Sequence, residues 1–252
     1  MITLISFFLA VAPTIFLVRY FYRLDKGKPE PKGLVLKVFL FGLLSALVAI
    51  PLELMVSSFQ GLFDPGSLAV ILFRSFIVAG LVEEWIKLTV VRLTAYRAGA
   101  FDEVMDGIVY TVVAGLGFAC LENILYVVGR PLSIALIRAF TAVPLHALAS
   151  GLMGYSVGKA RFAANQAEEG AWMRRGLFTA VLVHGLYDFL LFMVPIWGHL
   201  PGLGLIPLIL VGFLALRSRI RSAIAQDRRA GRTGTGEVAG PGAEGKGDED
   251  EA

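Results

Sequence analysis

The feature that most constrains this chain is a succession of apolar stretches, broken by short charged or Gly/Pro-rich connections. A hydrocarbon core about 30 Å thick takes roughly 20 apolar residues per helical span. Seven stretches approach or exceed that length: residues 2–18, 33–56, 68–93, 104–128, 132–158, 176–196 and 203–216, the last being the shortest. Uninterrupted runs of this kind exclude a membrane barrel, whose strands alternate apolar and polar residues. Composition agrees: 56% of the residues are hydrophobic, only 17% are charged and the mean hydropathy is +0.72. Soluble domains carry about a quarter charged residues. The expected fold is therefore all-α, a polytopic membrane bundle of about seven transmembrane helices.

Lysine and arginine distribution sets the expected orientation. The first connection holds Arg19, Arg23, Lys26, Lys28 and Lys32, the third Arg92 and Arg97, and the fifth Lys159, Arg161, Arg174 and Arg175. Six more arginines, from Arg217 to Arg232, follow the last stretch, whereas the second, fourth and sixth connections together hold only Arg130. The N-terminus is expected outside and the C-terminus in the cytoplasm, as an odd number of spans requires. The first stretch lacks a basic leader and a small-residue cleavage site, so it reads as a retained helix. The pI near 9.1 reflects basic residues beside membrane exits, where anionic headgroups attract them. It gives no signal for nucleic acid. The lone Cys120 lies in an apolar stretch and has no internal disulfide partner.

Two regions are expected: a membrane domain over 1–216, and a cytoplasmic tail over 217–252. The tail is first basic, then rich in glycine and acid, and too polar to order itself. The connections are short, so any chemistry must take place among the helices. Gly151, Gly154 and Gly158 form a small-residue stripe that reads as helix packing.

Ionisable residues at membrane depth cost about 2.5–3.5 kcal/mol each on insertion scales, so those that persist face a cavity or a partner. Stretch three carries Glu83, Glu84 and Lys87, stretch four Glu122 and Asn123, stretch five His146, and stretch six His184 and Asp188. Lys87 stands four residues from Glu83 and three from Glu84, so either carboxylate can meet the ammonium on one helix face. The other then serves as a less compensated second carboxylate, a combination that hydrolysis can use. Asp188, one turn from His184, can fix the imidazole's tautomer. Pro144 removes a backbone N–H near His146 and loosens the helix there. Two histidines with a glutamate, as in Glu122, His146 and His184, would satisfy a zinc ion that keeps one position open for water. Without a metal, the histidines can donate to an oxyanion. Asp102, Glu103 and Asp106 suit the start of a helix. Glu53 falls near the outer end of its stretch, His199 in an outer loop, and Lys37, Arg74 and Arg138 close enough to span ends to snorkel.

In sequence order these residues resemble a known family. Glu83-Glu84-Trp85-Ile86-Lys87 is similar to the EExxK signature of the PrsW-type intramembrane proteases. The segment Phe101-Asp102-Glu103 through Asp106-Gly107 and Tyr110, then Gly117-Phe118 and Glu122-Asn123, resembles the one that follows it in that family. His146 and the His184–Asp188 pair fall where its later motifs lie, and Asp25 with Pro29-Glu30-Pro31 and Phe41-Gly42 matches its early part. The resemblance covers roughly residues 19–190. It extends to the CAAX prenyl endopeptidases and bacteriocin-processing membrane proteases, in which a glutamate activates water and histidines stabilise the oxyanion.

The resemblance implies an intramembrane endopeptidase of a bacterial plasma membrane, acting on a membrane-anchored protein such as an anti-sigma factor. Glu83, Glu84, His146 and His184 are its expected catalytic residues, with Lys87, Glu122, Asn123 and Asp188 in support. Two other classes use the same ingredients. A proton- or cation-coupled transporter also buries carboxylates and histidines, and a non-catalytic scaffold, like the anterior-pharynx-defective subunit of gamma-secretase, keeps buried histidines without cutting.

Overall fold

The computed structural model describes residues 2–25 and 28–233, and these form seven helical rods with no strand among them. The first two are α1 (Ile2–Leu24) and α2 (Lys32–Ser57), the latter ending in a 3-10 turn at Ser58–Leu62. The third joins α3 (Leu68–Leu72), a wide π-helical stretch (Phe73–Leu81) and α4 (Val82–Thr94). Then come α5 (Val104–Val127), a rod of α6 (Leu132–Phe140) and α7 (Ala142–Arg161), the long α8 (Gln166–Trp197), and α9 (Leu200–Leu203) leading into α10 (Leu205–Arg229).

Six of the seven rods are long and apolar enough to cross a membrane. The exception is the third, whose apolar run is interrupted by Glu83, Glu84, Lys87 and Arg92. Wide π turns often mark functional sites, and this one delivers the chain directly to the paired glutamates.

Helix α5 is the axis of the bundle. Every residue from Val104 to Cys120 is buried, and α7, α2, α1 and α10 pack around it. Small residues permit this closeness: a methyl group on Gly107, Gly154 or Gly158 would overlap the backbone of the facing helix, so α5 and α7 meet main chain to main chain. Gly151, the third member of that stripe, instead faces Leu216 of α10. Large apolar side chains on the outside of α1, α2, α8 and α10, among them Phe8, Phe16, Leu44, Phe178 and Val211, are exposed, as lipid-facing residues should be.

Two local expectations are revised. The fifth rod breaks at Thr141 (φ −122°, ψ −60°) rather than at Pro144, which falls in the first turn of α7, where a missing N–H has no helical acceptor to lose. The last helix does not stop near Leu216 but continues to Arg229, carrying buried Ala223 and Asp227. The tail expected from 217 thus begins as helix, and its Gly-rich and acidic part, residues 234–252, lies outside the described residues.

The basic connections meet at one end of the bundle. Lys28 pairs with Asp102, the Tyr96 hydroxyl donates to Glu169 (2.8 Å), and Lys159 donates to Gln226 (2.7 Å). At the same end Asp227 caps α5, accepting from the Val104 N–H (2.8 Å) and the Met105 N–H (3.1 Å). Glu103 and Asp106 complete a capping box there. Burial, with Asp25, Asp227 and Asp102 nearby, pushes the Glu103 carboxyl up to about 7.

Candidate active site

Polar residues of five helices, α4 to α8, gather around Lys87. Its ammonium donates to Glu84 Oε1 (2.8 Å) and Glu83 Oε2 (3.0 Å) and lies 2.9 Å from His146 Nδ1. An ammonium has three hydrogens, and these three acceptors use all of them. Sequence spacing suggested that one glutamate would take the lysine and leave the other less compensated; instead Lys87 holds both.

This contact also fixes the histidine. Nδ1 faces a donor and must accept, so the proton of His146 sits on Nε2, which lies 2.9 Å from Glu122 Oε2. Glu122 Oε1 pairs in turn with the Arg138 guanidinium at 2.9 Å, while Arg138 Nε donates to Asn123 Oδ1 at 2.6 Å. Across the site, His184 Nδ1 donates to Glu84 Oε1 (2.8 Å), and its Nε2 faces Asp188 Oδ2 (3.5 Å) and Glu83 Oε2 (3.8 Å). Asp188 was expected to orient His184, but Glu84 makes the shorter bond. The two imidazoles stand edge to face, with ring centroids 5.1 Å apart.

Helix α8 comes close enough for this because Gly185, next to His184, carries no side chain where the Phe76 ring packs against it. Lys87 also lies over the Phe118 ring, 4.4 Å from its centroid. Glu84 is fully buried, and its second oxygen, Oε2, has no hydrogen-bond partner. Glu83 instead borders a cavity of about 340 Å³ that it shares with Glu53, Phe118, Glu122, Tyr126 and Arg130.

One oxygen or nitrogen from each of Glu83, Glu84, His146 and His184 lies within 4.8 Å of the others. Two carboxylates and two imidazoles suit a zinc-like ion by type and number. The Lys87 ammonium holds three of the same four side chains, so binding an ion would require it to withdraw along its flexible stem. Glu122, expected among the ligands, is not in this convergent group.

Two residues of the site escaped sequence reading. Arg138 was taken to snorkel, yet it is largely buried against Glu122 and Asn123. Glu53, set aside as near the outer surface, lines the same cavity as Glu83. An arginine eight residues before a buried histidine, and opposite an apolar stretch that carries Glu-Asn, was the available signal.

A multi-helix membrane protein with a buried cluster of carboxylates and imidazoles, one edge of it open to a cavity, is the class that fold and site define. Residues 30–216 match the PrsW family intramembrane metalloprotease. The chain is 37% identical to Protease PrsW of Geobacillus kaustophilus over 198 residues, covering 79% of this chain and 84% of that protein. It is 38% identical to Protease PrsW of Bacillus subtilis over 187 residues, covering 74% and 83%. The chain belongs to the PrsW family, and it is a membrane protease, a hydrolase. No solved structure matches it.

Proposed function

We propose that the chain hydrolyses a peptide bond of a membrane-anchored protein, such as an anti-sigma factor or a similar regulator, within the plasma membrane of a bacterium. The observation that carries this reading is the convergence of Glu83, Glu84, His146 and His184 beside a cavity that only one of the two glutamates borders. Glu83 faces the space where water can sit and acts as general base, a role typically contributing about 10²–10⁴-fold. Glu84, sealed and bound to both Lys87 and His184, positions them.

The substrate carbonyl meets the imidazole edges. His184, bonded to Glu84 through Nδ1–H, donates to the developing oxyanion through Nε2–H as the imidazolium, and His146 joins it when its Nε2–H turns from Glu122 to the substrate. Glu122 and Arg138 hold His146 in its tautomer, and Asn123 steadies Arg138. Where a metal takes part, Glu83, Glu84, His146 and His184 hold it, and it supplies a polarised water.

The basic connections gathered at one end support a cytoplasmic C-terminus and an external N-terminus. The cavity, lined by Glu53 and Arg130 from the opposite end of the bundle, then admits water from outside.

The test uses purified protein in proteoliposomes with a library of tethered single-span substrates. Wild type should cleave a member of the library, Glu83→Gln and Glu84→Gln should not, and metal analysis with a chelator arm assigns the metal. Unchanged turnover in both glutamine variants removes the glutamate base, and proton-coupled uptake without any cleavage points to a transporter.

A further inference from the structure

A second buried acidic group lies outside the protease site, at the end of the bundle where the basic connections meet. Asp25 follows α1, Glu30 precedes α2, and Glu103 and Asp106 open α5; all four are at least 94% buried. One carboxylate oxygen from each of Asp25, Glu103 and Asp106 lies within 4.8 Å of the others. Tyr110 donates to Glu30, whose carboxyl lies against Asp106.

Helix capping accounts for one oxygen each of Glu103 and Asp106. Asp106 Oδ2 accepts from the backbone of Asp102 (2.8 Å) and Glu103 (2.7 Å), and Glu103 returns one oxygen to the Asp106 N–H. Of their other two oxygens, Glu103 Oε1 is buried with no hydrogen-bond donor, and Asp106 Oδ1 is buried where Asp106 meets the Glu30 carboxyl. Among the described residues Lys28 pairs with Asp102 and Arg232 with Asp227 (3.1 Å), and neither forms an ion pair with Glu103 or Asp106. Buried carboxylate oxygens without a donor require either a proton or a metal.

The geometry points to a site for a hard divalent cation of the calcium–magnesium class, held by Asp25, Glu103 and Asp106. Calcium binds carboxylate oxygens at about 2.3–2.6 Å, so two ligands on opposite sides of the ion stand no more than about 5 Å apart. Separations that all fall within 4.8 Å are compatible with such an ion, with water completing its shell. All three ligands are oxygen, which favours calcium or magnesium over the zinc-like set of the protease site. The ion would tie the α1–α2 connection to the first turn of α5, some distance along that helix from Glu122.

Terbium, a calcium mimic whose emission is excited through nearby tyrosines, reads this site directly, because Tyr110 and Tyr22 both donate to Glu30. The full chain in detergent, stripped by chelation, should show saturable terbium emission that calcium or magnesium displaces and zinc displaces poorly. Glu103→Gln should weaken terbium binding at least tenfold while its amide oxygen still caps Asp106. Asp25→Asn, which removes no capping bond, carries the same test should Glu103→Gln fail to fold. Glu84→Gln should leave terbium binding unchanged. Absent emission in wild type, emission unaffected by both acidic-cluster variants, or emission lost in Glu84→Gln would each overturn the proposal. The order of displacement by calcium and magnesium identifies the preferred ion.

Discussion

The Lys87 ammonium stands 2.9 Å from His146 Nδ1, and this contact joins the rod that carries the paired glutamates to the rod that carries the first histidine. With its other hydrogens on Glu83 and Glu84, the lysine is the hub of the site. Removing it by Lys87→Met leaves two buried carboxylates facing one another. Losing one partner of a buried ion pair costs about 3–5 kcal/mol, so thermal unfolding in detergent should show a loss of that order. Adding Glu84→Gln to Lys87→Met should recover part of it, as a double-mutant cycle will register.

Arg138 meets Glu122 and Asn123 through two nitrogens of one planar fork, whose fixed spacing a single ammonium nitrogen does not reproduce. Arg138→Lys should therefore behave much like Arg138→Ala. Both are expected to lower turnover by releasing Glu122 and, through it, His146. Restoration of full cleavage by the lysine variant would show that charge alone suffices.

The two glutamates differ in surroundings, so they should fail differently. Glu83→Gln is expected to abolish cleavage with a smaller loss of melting temperature than Glu84→Gln, because Glu83 borders the cavity while Glu84 is sealed. Glu84→Gln should abolish cleavage and also lower the melting temperature, because a neutral amide replaces the charged partner of Lys87 and His184. Equal melting temperatures for the two variants would contradict this division of labour.

Gly158→Ala places a methyl group against the backbone carbonyl of Val104. Overpacking at such a contact typically costs about 1–3 kcal/mol, and backbone on both sides leaves little room to relax. The variant should yield markedly less folded protein on size-exclusion chromatography, whereas Gly33→Ala, where a methyl group meets open space, should not.

Asp227→Ala removes the acceptor for two amides at the start of α5. Loss of a helix cap costs about 0.5–2 kcal/mol. Hydrogen exchange should quicken at Val104 and Met105 and remain slow at mid-helix positions such as Val113.

Much of this architecture was legible because burial in lipid leaves a coarse signature. Apolar runs located all seven rods, and charged or imidazole side chains within them identified Glu83, Glu84, Lys87, Glu122, His146, His184 and Asp188. The partners of those groups were not legible. Glu84 and His184 are 100 positions apart, and Asp227 lies 123 from Val104, so only packing brings either pair together. Arg138 and Glu53 were misjudged for a related reason: distance along the chain from a span end says nothing about which way a side chain points. Pro144 looked like the weak point of its rod, yet the break falls at Thr141, because a proline in the first helical turn removes an N–H that no carbonyl awaits.

The capping of α5 by Asp227 bears on how the molecule is made. Ribosomes release this chain from its amino end, so the central helix and its neighbours emerge well before α10. Until Asp227 follows, Val104 and Met105 present amides for which no acceptor has yet been synthesised. The piece that closes the bundle is thus translated after the helices it completes, and a product truncated before it would reach the membrane with the opening turn of its innermost helix unfinished.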